Sequence, residues 1–336
     1  MGRMLRGAAS VLVACSIVWA LPVHALAVTT DRQRAFAAAR FLVASQKPNG
    51  SFPGFSPIGS TADAVLDLVA LGRGATPLED ALGFLQRQVM RGNADTIGLD
   101  AKVALALEAA GADPASFGGH DLITEIQTTA LPSGRYGAAS VLDQALALLA
   151  LRGDGVKLTS GPFTWLADAQ CPDGGWQYDR PHRASEGPHC FDRSNPHDVT
   201  GSDSNTTAYA VMALHGAVSP AHDPFRFLSH LRDMEPGRQN GGWGFTWGFR
   251  TTDANSTALV LQAYAVAAEP LPTGARNALR ALQYPCGAVA YSWTGGGTRT
   301  GRDVGATIGA ILGFLRAPVP PSGAVSGEFA HTSCPT

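Results

Sequence analysis

Two short polar runs carry the residues best able to do chemistry. Asp203-Ser204-Asn205-Thr206-Thr207-Ala208 returns as Asp253-Ala254-Asn255-Ser256-Thr257-Ala258, and a fainter copy reads Asp303-Val304-Gly305-Ala306-Thr307. Each aspartate stands one residue before an apolar, helix-forming run. There its carboxylate can accept the N–H groups that a first helical turn leaves without partners. A functional role can coexist with that structural one. Asn205 and Asn255 fall in the first turn, so helices opening on one cavity would set their amides at its mouth. Parallel helix N-termini add a positive field of about half a charge each, which the aspartates offset.

Four more acids, Asp63, Asp67, Asp100 and Asp143, interrupt apolar stretches. Buried carboxylates are costly unless paired, so these acids either face turns or line a polar cavity. Asp63 and Asp67 lie one helical turn apart and share a face. A catalytic reading would rest on Asp63 or Asp203. The loop from Tyr178 to Ser202 gathers His182, Glu186, His189, Cys190, Asp192, His197 and Asp198. It lacks the ligand spacings of common zinc sites, and a disulfide would remove Cys190 as a thiolate. A solvated, disulfide-closed loop is therefore expected, with no metal or other cofactor. Aromatics cluster at Trp176, Tyr209, Trp243, Trp247 and Phe249. Trp176 and Trp243 read as packing residues. Tyr209 and Trp247 are candidates to wall an apolar pocket. No nucleophile elbow, phosphate loop or dinucleotide fingerprint occurs.

The elements that position these residues repeat. Six Ala/Leu/Val-rich runs, apolar nearly all round, read as buried helices: ADAVLDLVALG, LDAKVALALEAAG, LDQALALLALRG, AYAVMALHG, LVLQAYAVAA and IGAILGFLRA. Between them lie amphipathic segments at Asp31–Gln46, Leu78–Arg91, Asp121–Thr129, Pro162–Gln170, Pro224–Met234 and Thr273–Gln283. Turn signals PNG, PSG, PDGG, QNGG and PCG separate them. Strand alternation is confined to pieces such as Ala288–Trp293. The pattern predicts an all-α domain of about six helical hairpins, with inner helices parallel and outer ones antiparallel around them. Two arrangements remain, a closed α/α toroid or an open solenoid, and the lack of polar terminal caps favours closure.

Charged residues make up 15% of the chain and the net charge is −2. That excludes a basic nucleic-acid footprint. Arg3 and Arg6, an apolar run from Ala8 to Val23 and small residues at Ala25 and Ala27 form a secretory leader over residues 1–27. A lipoprotein signal ending at Cys15 is the rival, but the apolar run continues past that cysteine. No later stretch is long and apolar enough to span a membrane. The toroid is expected over 28–316, followed by a Pro-rich tail over 317–336. Four cysteines remain after the leader and allow three pairings. Cys171–Cys190 would close the central loop, and Cys286–Cys334 would pin the tail.

Gln170-Cys171-Pro172-Asp173-Gly174-Gly175-Trp176 fits the pattern Q-x-x-x-G-x-W. Gln46-Lys47-Pro48-Asn49-Gly50-Ser51-Phe52 fits it with Phe for Trp, and Gln283 to Gly287, Gly241 to Trp243 and Gly134 to Tyr136 keep halves of it. In phase with a two-helix repeat, this resembles the QW motif of squalene–hopene cyclases and related toroid proteins over about residues 31–316. The resemblance implies an α/α toroid and a superfamily of both catalysts and binders. Class II terpene cyclases use D-x-D-D-T-A, whose middle aspartate donates a proton. Here Asn205 stands at the donor position, and an amide cannot protonate an alkene. Prenyltransferase β subunits of this fold bind zinc, but their ligand set has no clear counterpart here. Intrinsic-factor-like toroids bind cobalamin under a second domain, for which this chain has too few residues. The resemblance thus implies a non-catalytic binder of an apolar or amphiphilic molecule, isoprenoid-like or corrinoid-like, with Asp203, Asn205, Tyr209, Asp253, Asn255 and Trp247 as contacts. The alternatives are a cyclase or prenyl-transfer enzyme using other acids, and a cell-envelope interaction module without a ligand.

Overall fold

Helices that are apolar on every side must be covered on every side, and a closed ring does this. The structure is a computed structural model describing residues 29–178, 182–183, 187–188, 190, 201–235, 241–330 and 334. Residues 1–28, where the leader is expected over 1–27, and most of the loop from 179 to 200 lie outside the described residues. Six inner helices are α2 (Pro57–Leu71), α4 (Ile97–Ala110), α6 (Val141–Gly153), α8 (Ser204–Leu214), α10 (Ala254–Val266) and α12 (Val304–Leu315). Each packs on the next, and α12 packs back on α2, which closes the ring and excludes the solenoid. Six outer helices surround them: α1 (Asp31–Ala44), α3 (Ala75–Val89), α5 (Leu122–Thr128), α7 (Ser160–Asp168), α9 (Pro224–His230) and α11 (Ala275–Leu282). α11 shows why they stay outside. Ala275, Ala278, Leu279 and Leu282 are buried on one face, while Arg276 and Arg280 pair with Asp31 of α1.

The inner helices are parallel, and their N-termini are capped by side chains. Ser56, Thr96 and Ser140 cap α2, α4 and α6; Asp203, Asp253 and Asp303 cap α8, α10 and α12. Among the described residues, the strand ladders are two short antiparallel pairs, β1 (His182–Arg183) with β2 (Gly187–Pro188) and β3 (Val289–Ala290) with β4 (Arg302–Asp303), beside isolated bridges such as Trp176 with Asp203.

Five of the six joints between successive outer helices share one device. A side chain donates both to a carbonyl of the turn and to a carbonyl near the start of the next outer helix. Gln46 bridges Gly50 and Pro77, Gln144 bridges Gly134 and Pro162, and Gln170 bridges Gly174 and His222. Arg232 bridges Gly241 and Thr273. Gln283 bridges Gly287 and Arg34, which joins the last outer helix to the first. Gly174, at φ 91°, shows why glycine is needed: the turn is left-handed, and a Cβ there would press on the Asp223 carbonyl.

The residue after each turn is then fixed by the inner helix. Thr61, Thr207, Thr257 and Thr307 accept the backbone N–H of Phe52, Trp176, Trp243 and Val289 through Oγ1. Both tryptophans are fully buried, and their indole N–H groups donate to Leu166 and Leu228 carbonyls of the adjoining outer helices.

Disulfides join Cys171 to Cys190 and Cys286 to Cys334. The chain beyond α12 crosses the C-terminal ends of the inner helices. Pro320 lies beside Gly153, Ser326 N–H donates to the Gly72 carbonyl, and the Gly327 carbonyl accepts from Gly74 and Ala75. Phe329 packs near Phe36. No helix among the described residues is long and apolar enough to cross a membrane.

Candidate functional site: the central cavity

The ring encloses a cavity of about 470 Å³ to which all six inner helices contribute, within the usual range of small-molecule pockets, roughly 300–1,000 Å³. Most of its wall residues come from the N-terminal halves of these helices, so the capped ends form the mouth. Exposed Phe55 and half-exposed Tyr178 stand at the rim. Leu66, Leu146, Leu259 and Ile308 supply apolar wall, and Val319 of the tail also lines it. Gly305 and Gly309 keep the α12 wall thin. A Cβ on Gly309 would collide with Asn255.

Polar groups interrupt this wall at defined places. Lys102 of α4 donates to both oxygens of Asp63 at 2.6 and 2.8 Å. Burial opposes the lysine charge, but Asp63, with Tyr209 and Asp143, outweighs it and raises the Lys102 pKa. The ammonium therefore stays charged. Tyr209 of α8 is pushed up to about 12 by burial, so its phenol stays neutral. Asp143 is held by the Ser140 capping box. Asn205 accepts a weak bond from Ser204 Oγ at 3.3 Å. Asn255 Oδ1 is buried without a partner.

Deeper in the cavity, Gln262 of α10 donates to the Ala258 carbonyl at 3.2 Å and leaves Oε1 unpartnered. Asp67 of α2 buries both carboxyl oxygens without a hydrogen bond. Desolvation, reinforced by the neighbouring Asp63 charge, holds its pKa well above the usual carboxylate range. The Leu312 backbone opposes this shift without reaching hydrogen-bond geometry. Burial thus favours the uncharged, protonated form of Asp67.

The residues singled out in the sequence divide between this wall and the scaffold. Asp63, Asn205, Tyr209 and Asn255 line the cavity. Asp203 and Asp253 do not. Asp203 accepts from Thr206 N at 2.7 Å and from its hydroxyl at 2.8 Å, and Asp253 accepts from Ser256 N at 2.7 Å. Burial, partly offset by these bonds, raises each to about 6. Trp247 is half-exposed away from the cavity, stacked 6.2 Å from His230. Asp100 lies off the wall, pushed up to about 7 by burial and by Glu125. No cluster of metal-ligating side chains occurs among the described residues; His189, Asp192, His197 and Asp198 fall outside them. Lys102 and Gln262 were missed in the sequence, although each interrupts an apolar helix just as Asp63 and Asp67 do.

A closed ring of parallel inner helices around a central cavity defines a terpene-cyclase-like α/α toroid. The chain superposes on the apo structure of the type II terpene cyclase MstE from Scytonema with a TM-score of 0.52 at 14% identity, covering 86% of this chain and 98% of that one. A variant of that cyclase, solved with its substrate geranylgeranyl dihydroxybenzoate, gives a TM-score of 0.53 at 14% identity over 85% and 97% of the two chains. At such identities the likeness carries the fold alone. No protein-family profile matches the sequence, and no curated protein does.

Proposed function

We propose that this protein is an exported binder of an apolar or amphiphilic small molecule, held in the central cavity without being transformed. One observation carries the reading. Where the cyclase motif would set acids at the mouth, amides Asn205 and Asn255 face the cavity, and the neighbouring aspartates are turned to capping. An elongated isoprenoid-like occupant suits a cavity walled on every side by helices better than a corrinoid macrocycle does. Export is supported by the leader-like residues 1–27 and the two disulfides. In this reading residues 28–316 form the binding toroid and 317–336 a tail tethered beneath it. Native mass spectrometry of protein purified from its own host should find a co-purifying lipid-like molecule. A cavity that arrives empty and takes up no isoprenoid probe refutes the reading.

A second reading is favoured by Asp67. Its carboxyl faces the apolar cavity and burial favours the protonated form, so an acid on α2 could stand in for the one missing from α8. Incubation with polyprenyl substrates tests it: a cyclised product lost in Asp67→Asn would replace the binder with an enzyme.

A further inference from the structure

Asp67 and Gln262 are the two cavity-lining side chains that are both almost wholly buried, at 1% and 2% exposure, and left with unpartnered oxygens. Leaving a buried polar group without a partner is costly. A site kept at that cost is open to a ligand that supplies the partners. The two residues stand on α2 and α10, the helices that flank α12 in the ring. Their depths are similar. Asp67 is ten residues past Pro57 and Gln262 eight past Ala254, which at about 1.5 Å per residue is about 15 and 12 Å along the wall. Leu259 and Ile308 line the wall nearer the mouth, and Phe55 stands at the rim.

We propose that the cavity takes an elongated apolar molecule inner end first, and that this end carries an uncharged hydroxyl hydrogen-bonded to Asp67 and Gln262. The proposal rests on the binder reading and adds the ligand's orientation and terminal group. The donor and acceptor count selects the alcohol. In the uncharged form that burial favours, Asp67 offers an O–H, and Gln262 Oε1 needs one. A hydroxyl accepts the first and supplies the second. A hydrocarbon does neither, a ketone only accepts, and a carboxylate would bury an anion close to Asp63. The apolar remainder then runs outward past Leu259 and Ile308 towards Phe55.

The test compares farnesol, the hydrocarbon of the same skeleton, and farnesylamine, titrated calorimetrically into the full disulfide-bonded chain. The expected result is that farnesol binds at least about tenfold more tightly than the hydrocarbon. In the double variant Asp67→Leu, Gln262→Met that preference shrinks to within about threefold, while the hydrocarbon binds no worse. Should the double variant fail to fold, Gln262→Met alone is expected to lose part of the preference. Equal binding of alcohol and hydrocarbon to the unaltered protein overturns the inference but leaves the binder reading standing. Tighter binding of the amine overturns it too, because Asp67 would then act as a counter-ion. A preference that survives both variants places recognition elsewhere and also overturns it. If no probe binds, both the inference and the binder reading fall.

Discussion

Glutamine does opposite things at the joints of the ring and on the wall of its cavity. At the joints, Gln170 is fully used: its amide N–H groups donate to Gly174 and His222 carbonyls, and its oxygen accepts the His222 N–H at 2.8 Å. Gln144 and Gln283 repeat the bridge. On the wall, Gln262 uses only its amide nitrogen, and the Asp67 carboxyl uses neither oxygen. Both regions are buried, so solvent does not explain the difference. The joints hold the fold by using both ends of their bridging amides. The wall keeps polar groups that the fold does not need. Stability and binding should therefore respond to different substitutions.

The largest effect is expected at the joints. Trp243→Ala removes a fully buried indole together with its bond to Leu228 at 2.8 Å, and should cost roughly 3–5 kcal/mol in chemical denaturation. A cost under about 1 kcal/mol would mean that the ring does not rely on these aromatics. Replacing Cys171 and Cys190 by serine opens a bridge spanning 19 residues, and the same measurement should record a loss of about 3 kcal/mol. Gln170→Leu strands two carbonyls and one N–H at a single joint. It should cost about 2 kcal/mol. Gln262→Leu is the matched change on the wall, and it removes an oxygen that has no partner. It should alter stability by less than about 1 kcal/mol, or raise it. If the two glutamine variants lose equal stability, the contrast between joint and wall is gone.

Much of the joint was legible in the sequence, because its chemistry is local. The Q-x-x-x-G-x-W run names the bridging amide, the left-handed glycine and the packed ring within seven residues. Asp203, Asp253 and Asp303 announced themselves as caps by standing directly before apolar runs. The joint between α9 and α11 was only half readable, because Arg232 takes the glutamine's place with different chemistry and the same two kinds of acceptor. The cavity wall was harder to read. Asp67 and Gln262 are 195 residues apart, and only ring closure sets them on one wall. Nothing in either helix taken alone separates an unpartnered oxygen from one bonded across the ring. Trp247 shows the reverse failure: a Gly-rich aromatic loop has the composition of a pocket wall, yet its tryptophan stacks on His230 outside the cavity.

Asp203 sits on the border between the two regions and gives the most diagnostic effect. Its backbone N–H donates to the Trp176 carbonyl at 2.9 Å, its side chain caps α8, and its neighbour Asn205 faces the cavity. Burial raises its pKa from 3.8 to about 6, so the folded state holds a proton that the unfolded chain has released. The stability this provides is complete below about pH 3.8 and is lost as pH rises through about 6. The loss is at most about 1.4 kcal/mol per pH unit. Asparagine caps a helix as well as aspartate does and has no charge to desolvate. Asp203→Asn should therefore match the unaltered protein within about 0.5 kcal/mol at acid pH and exceed it above pH 6, with a shallower pH slope. An Asn variant that is weaker at every pH would show that the carboxylate's charge contributes to the helix end. Asp203 would then belong with the joint residues that hold the fold.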